Sequence, residues 1–465
     1  MTRIPLFKNT SKFIVFVFIL SMGLRLTLAF LNREANDSHM EVINWILDKH
    51  ELPVKEDCWQ CYQLKFFHVL AAELLKIFQI TNNDVKIIFI QLLNVLFGFL
   101  TLLFFWKYLK KYQISENIKI IVFSFFAFNP CLTGINVQIT TDTLEILSGV
   151  LVIYFTDLLL TEQKPKYLIG LLISLLIAAM TKATGLVLFG IVVIVFILKI
   201  FSQHSRMKRI VIIKYFFIIG LIFLSVVPFA GGYYDYYRKN NSLPTSAWPN
   251  DPPPLFFEST NIARPGLRNM AEGYFTFRYF DMIRQPYINN ESDNFPLHRT
   301  SVWSQLYGRT VFMHFDQWPH GWQTKAPLII NTGRILIILG IIPLGIFLLG
   351  FFTGFLKTIK VFLKNGISSL SKSNNYIHLI TAVTFLLCSI KYSYDIRDFS
   401  AMKSIYIFPA LLSFIKLFLD GYSYVQSRII LKVISTVLIS MIILSIFDIG
   451  YLIYQQYELR FNFND

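Results

Sequence analysis

The chain has 465 residues, 54% of them hydrophobic and only 15% charged, with 46 Phe and a formal net charge of +15. So little polar surface excludes a soluble globular protein of this size. Its repeated apolar stretches, each able to cross about 30 Å of hydrocarbon, predict an all-α polytopic membrane protein. The Lys and Arg gather in short loops between those stretches, which is the positive-inside pattern and excludes a nucleic-acid partner in favour of membrane lipids.

In chain order, a first span over about Phe13 to Phe30 follows Arg3, Lys8 and Lys12. It has neither the short apolar region nor the small-residue cleavage site of a signal peptide, so the N-terminus is expected in the cytoplasm. The next stretch then lies outside, and it crowds Glu34, Asp37, His39, Glu41, Asp48, Glu56 and Asp57 into a short span. Acids directly beside a membrane segment are costly unless they line a wet cavity, which marks this loop as functional. Asn36 or Ser38 can cap a helix whose apolar stripe is Met40, Ile43, Ile46 and Leu47. On such a helix Asp37 and Glu41 share a face, with Asp37 at the positive N-terminal end. That suits a general base, and it equally suits a helix cap. His39 and His68 are weaker candidates: a His near an acid can shuttle protons or bind metal, whereas an isolated one is more often a satisfied polar residue. Cys58 and Cys61 do not complete a zinc shell by themselves; a local disulfide is permitted in an oxidising compartment.

Further spans are expected near Ile87–Trp106, Ile118–Ile135 and Leu144–Leu160, with a short hairpin pair, Tyr167–Met180 and Leu186–Phe201, around TKATG. A seventh, Tyr215–Ala230, leads into a long polar segment; Ile335–Leu356, Tyr376–Ile390, Ser404–Leu419 and Leu431–Tyr454 complete about eleven transmembrane helices. Lys65–Ile80 is an alternative shallow dip into the bilayer. Three regions follow: a transmembrane module 1–230 containing the first outer loop 31–84, a large outer loop 231–328, and C-terminal helices 329–465. The large loop contains WPNDPPPLFF, ARPG, FRYFDMIRQP and SVWSQLYGRTVFMHFDQWPHGW. Its aromatics, interleaved with Arg278, Arg284, Arg299, Arg309, Asp281 and Asp316, predict an ordered cap of short helices. Lys182, Lys391, Arg397 and Lys403 depart from the positive-inside pattern and are candidate anion contacts.

Several segments occur in a telling succession: NDSH in the first outer loop, CYQLKFFHVLAA, VQITTDTLEIL, AMTKATGLVLF and DFSAMKSIYIFPALL. This order resembles the GT-C superfamily of membrane glycosyltransferases, nearest to the protein mannosyltransferases and the lipid A aminoarabinose transferases. CYQLKFFHVLAA lacks the two prolines that usually mark its counterpart in the family. The resemblance implies a GT-C-like fold and transfer of a sugar, with inversion, from a polyprenyl-phosphate donor to a lipid or protein acceptor on the extracytoplasmic face. It implies Asp37 as the catalytic base, and it places His39, Glu41, Asp142, Lys182, Arg397 and Lys403 around the substrates. Relatives using lipid monophosphate donors are generally metal-independent, so no cofactor is expected, although Asp37, Glu56, Asp57 and Asp142 leave a divalent cation open. A polysaccharide polymerase or ligase and a transporter of lipid-linked substrates are the alternative classes. The Phe-, Ile-, Lys- and Asn-rich composition favours a bacterial inner membrane, with the endoplasmic reticulum membrane as the eukaryotic equivalent.

Overall fold

The fold was obtained as a computed structural model describing residues 10–32, 37–54, 56–201, 209–230, 232–240, 270–287, 297–312, 326–366, 375–395 and 402–461. Arg397, Glu34, Asn36, Asp316 and the WPNDPPPLFF and ARPG segments lie outside these residues. Among the described residues every regular element is helical. The order is α1 (Thr10–Leu31), α2 (His39–Lys49), α3 (Phe66–Ile77), α4 (Asn83–Leu109), α5 (Glu116–Ala127), α6 (Pro130–Asn136), α7 (Asp142–Glu162), α8 (Pro165–Thr181) and α9 (Thr184–Ile200). There follow α10 (Arg209–Ala230), α11 (Tyr233–Asn240), α12 (Met270–Phe275), α13 (Tyr279–Arg284), α14 (Val302–Val311), α15 (Pro327–Asn365), α16 (Asn375–Asp395), α17 (Leu411–Tyr424) and α18 (Arg428–Phe461). Short 3-10 turns occupy Trp59–Tyr62, Leu297–Thr300 and Ser404–Ala410.

Eight helical segments among the described residues are long and apolar enough to cross a membrane. Large apolar side chains stand exposed along them, including Phe217, Leu221 and Leu224 on α10 and Ile429, Ile443 and Phe447 on α18. Such surfaces are stable only against lipid, so the chain is a multi-pass membrane protein. The two hairpin helices α8 and α9 have 17 residues each and fall short of that length criterion. The expected third span is not continuous. It is the pair α5 and α6, bent by 50°. Pro130 cannot continue α5, while the Asn129 side chain accepts from the Leu132 amide and starts α6.

A break inside the bundle exposes backbone groups that lipid cannot satisfy, and polar side chains meet them. Arg25 of α1, fully buried, donates to the Ala127 carbonyl at the end of α5 (2.8 Å) and to Asn136 Oδ1 at the end of α6 (3.0 Å). Asn94 of α4 donates to the carbonyls of Gln138 (2.7 Å) and Thr140 (3.0 Å), fixing the connection into α7. These contacts position α7, the most enclosed of the candidate spans, with 83% of its apolar window buried. Gly149 permits its closest approach: a Cβ there would stand 2.5 Å from the Pro409 carbonyl oxygen, so the Ser404–Ala410 turn rests directly on α7.

At the N-terminal end of α7, α2, α3 and the Trp59–Tyr62 turn form a small cap. Met40, Val42, Ile43, Ile46, Phe67 and Leu75 pack together and onto Leu144 and Leu147 of α7. The Cys58–Cys61 disulfide, with Cα atoms 5.0 Å apart, closes the turn. The 66–77 stretch is therefore a cap helix resting on α2 and α8.

Candidate active site

The site is built where the first residues of α7, the α8–α9 hairpin and the cap meet. Asp142 and Glu145 occupy the first turn of α7, at its positive end. Lys182 sits in the tight connection between α8 and α9, where a Cβ on Gly185 would come within 2.2 Å of the Ala178 backbone. That closeness turns the lysine back towards α7. Lys182 Nζ bonds Asp142 Oδ1 and lies 3.3 Å from Glu145 Oε2. Thr184 Oγ1 donates to the other Glu145 oxygen, and Thr140 Oγ1 donates to Asp142 Oδ2 at 2.9 Å. The two carboxylates are 13% and 2% exposed and the lysine 17%, so the triad keeps a narrow opening. Its formal charges leave one net negative.

The cap brings the second half. Asp37 and Ser38 both adopt left-handed backbone (φ 59° and 55°), and α2 begins only at His39. Asp37 therefore precedes the helix and does not share a helical face with Glu41, which points exposed from α2. Ser38 holds the cap position without a side-chain cap bond. The left-handed pair turns Asp37 towards His39, whose Nε2 lies 4.0 Å from Asp37 Oδ2. His39 Nδ1 in turn lies 3.0 Å from His68 Nε2 on α3. Both imidazoles are buried, whereas Asp37 is 47% exposed. Burial lowers the pKa of both histidines, opposed at His39 by the negative charges of Asp37 and Asp142.

Three tyrosines close the space between the halves. Lys182 Nζ stands 4.9 Å above the Tyr406 ring, which meets Tyr392 edge-on at 5.0 Å. Tyr62 is within electrostatic range of Tyr392, Asp37 and Lys182, and burial raises its pKa to about 12. Beside it, Lys65 donates to the carbonyls of Cys61 and Gln63 (the latter at 2.7 Å), and burial lowers its pKa to about 7. Gln63 accepts from Thr141 Oγ1 (3.2 Å), tying the disulfide-closed turn to the start of α7.

The structure thus gathers Asp37, His39, Asp142 and Lys182 and leaves Glu41 apart. Lys403 is half-buried at the head of the turn carrying Tyr406, and Lys391 is exposed on α16 next to Tyr392. Glu145, Thr184 and Tyr62 belong to the site without having been singled out as its members from sequence, and His68, a weaker candidate there, joins it through His39. Glu145 and Thr184 do stand inside the TTDTLEIL and TKATG segments. Among the described residues no three of His, Cys, Asp and Glu gather into a metal-holding group. Behind the turn, Ile407 and Phe408 line an apolar cavity of about 620 Å³ with Phe126, Trp303, Pro343 and Phe347. Compared with protein-family models and with curated proteins, the chain matches none.

Proposed function

We propose that the protein is a GT-C-type glycosyltransferase with about eleven spans, transferring a sugar from a polyprenyl-phosphate donor to an acceptor on the extracytoplasmic face. The observation that carries this reading is a two-sided turn. Ser404–Ala410 presents Tyr406 to the carboxylate–lysine cluster and Ile407 and Phe408 to the apolar cavity. A substrate with a polar head and a prenyl tail matches that division: tail in the cavity, head among Asp37, Lys182 and the tyrosines.

Asp37 is the exposed member of the cluster, with room for an acceptor hydroxyl whose proton it takes as the hydroxyl attacks the anomeric carbon. Lys182 is shared between two carboxylates, so its first task is to hold Asp142 and Glu145 in place against the sugar. The departing phosphate then requires a further cation, for which Lys403, at the head of the turn that carries Tyr406, and Arg397 are the candidates. An oxidising exterior, a bacterial periplasm or the endoplasmic reticulum lumen, agrees with the Cys58–Cys61 disulfide at the same end. The test is to incubate the purified protein with labelled polyprenyl-monophosphate sugars and membrane acceptors. Sugar transfer with release of the polyprenyl phosphate supports the assignment, and a protein that consumes none of these donors refutes it.

A further inference from the structure

The two buried histidines have no task in the reading above. Yet their contact is chemically restrictive. A ring nitrogen 3.0 Å from another ring nitrogen must share a single proton, because two N–H groups would collide and two lone pairs would repel. The direction of that proton follows from the surroundings. His68 Nδ1 is buried and has no hydrogen-bond partner among the described residues, and the backbone group that acts on this imidazole is Leu64, four residues earlier and just ahead of α3. A carbonyl can only accept, so Nδ1 of His68 carries its proton and Nε2 is left as the acceptor. His39 Nδ1 then donates to His68, and His39 Nε2 is left as a lone pair 4.0 Å from Asp37 Oδ2, two acceptors that form a bond only once Asp37 has taken up a proton.

We infer that His39 is a proton-holding partner of Asp37, and that His68 is a positioning residue fixing the His39 tautomer so that its basic nitrogen faces the carboxylate. This rests on the proposed transferase reading. In the step, the acceptor oxygen bonds to the anomeric carbon while the anomeric carbon–phosphate oxygen bond breaks, and its electron pair leaves with the polyprenyl phosphate. The hydroxyl proton passes to Asp37 and on to His39 Nε2, giving an imidazolium beside a regenerated carboxylate. Half-exposed Asp37 later returns that proton to water. His39 faces Asp37 and Asp142 as anions, Lys182 and Lys65 as cations, and His68; His68 faces His39 and Lys65. Burial keeps both rings neutral at rest, which is the state a proton acceptor requires.

The test has two arms. In the first, the full chain is labelled with ¹⁵N-histidine, and the two rings are assigned with His39→Gln and His68→Gln. The inference requires both to be neutral and protonated on Nδ1 at pH 7.5. A His39 that is protonated on Nε2, or cationic, at that pH overturns it whether or not the protein transfers sugar. In the second arm, kcat, KM and their pH dependence are measured for the wild type, His39→Gln, His68→Gln and His68→Leu. Gln keeps an acceptor for His39 Nδ1, whereas Leu removes it. The expected result is a kcat lowered about 10–100-fold in His68→Leu and His39→Gln with KM nearly unchanged, recovery in His68→Gln, and an acidic limb displaced from its wild-type position in His39→Gln, where Asp37 alone sets it. A His39→Gln profile parallel to that of the wild type overturns the inference while leaving the transferase reading intact. A wild type without transfer refutes that reading, and the first arm still decides the histidines.

Discussion

Lys182→Met probes the cluster most sharply, because among the described residues this lysine is the cation that meets both carboxylates, which are 13% and 2% exposed. Removing it leaves two buried negative charges three residues apart on α7. Breaking a buried pair by deleting one partner costs about 3–5 kcal/mol, much of it the burden of the uncompensated charge. That corresponds to a loss of roughly 10²–10⁴-fold in the folding equilibrium. The triple variant Asp142→Asn/Glu145→Gln/Lys182→Met removes all three charges at nearly constant volume. Neutral replacement of a whole buried network is often without net cost, so it should recover to within about 1 kcal/mol of the wild type. Thermal unfolding of the detergent-purified proteins, at one scan rate and pH 7.5, measures both. A single variant that melts with the wild type, or a triple variant no more stable than the single, refutes the electrostatic account of the site.

Other perturbations act on the parts that hold the cluster. Gly149→Ala places a methyl group 2.5 Å from the Pro409 carbonyl, so either α7 or the Tyr406 turn must shift; thermal unfolding should show a loss of about 1–3 kcal/mol. Cys58→Ser/Cys61→Ser should cost about 2 kcal/mol by the loop-closure relation, and the wild type should show the same loss after reduction. For pH, His39 and His68 are held below their ordinary 6.5 by burial, so the unfolded chain binds their protons first as acid is added. Their contribution is therefore fully present above pH 6.5 and is lost as pH falls towards the folded values. Melting temperature should drop across that window, with a shallower slope in His39→Gln/His68→Gln.

The bundle was legible because apolar runs and basic loops leave few alternatives. Of the eleven apolar segments named from sequence, nine coincide with single α-helices, while the third falls on the bent α5–α6 pair and Ser404–Leu419 on a 3-10 turn continued by α17. The break in the third was also written in the chain: Asn129-Pro130 pairs a capping residue with one that starts a helix and cannot continue one. Hidden from that reading was what satisfies the break, since Arg25 reaches Asn136 across 111 residues. Lys182 stood out because it departs from the positive-inside pattern, and Asp142 because VQITTDTLEIL resembles a family segment. Glu145, one turn further on, did not, because its Thr184 partner lies 39 residues away and becomes a neighbour only through the α8–α9 hairpin. Of the two caps offered from sequence, Ser38 holds the position, so Asp37 falls ahead of α2 and not on it. A cap at Asn36 would have put Asp37 in the first turn, whereas Asp37 and Ser38 both take left-handed backbone, which Asp tolerates better than most residues. That turn removed Asp37 from the face of Glu41 and set it against His39, a pairing that spacing along a helix cannot foresee.

The most direct measurement is single-turnover sugar transfer from a polyprenyl-monophosphate donor by the wild type and Asp37→Asn, with donor binding followed in the same samples. The account predicts that both bind donor alike, while the amide variant transfers at least about 100-fold more slowly, as expected when a general base is removed. Equal transfer rates at equal donor occupancy would contradict it.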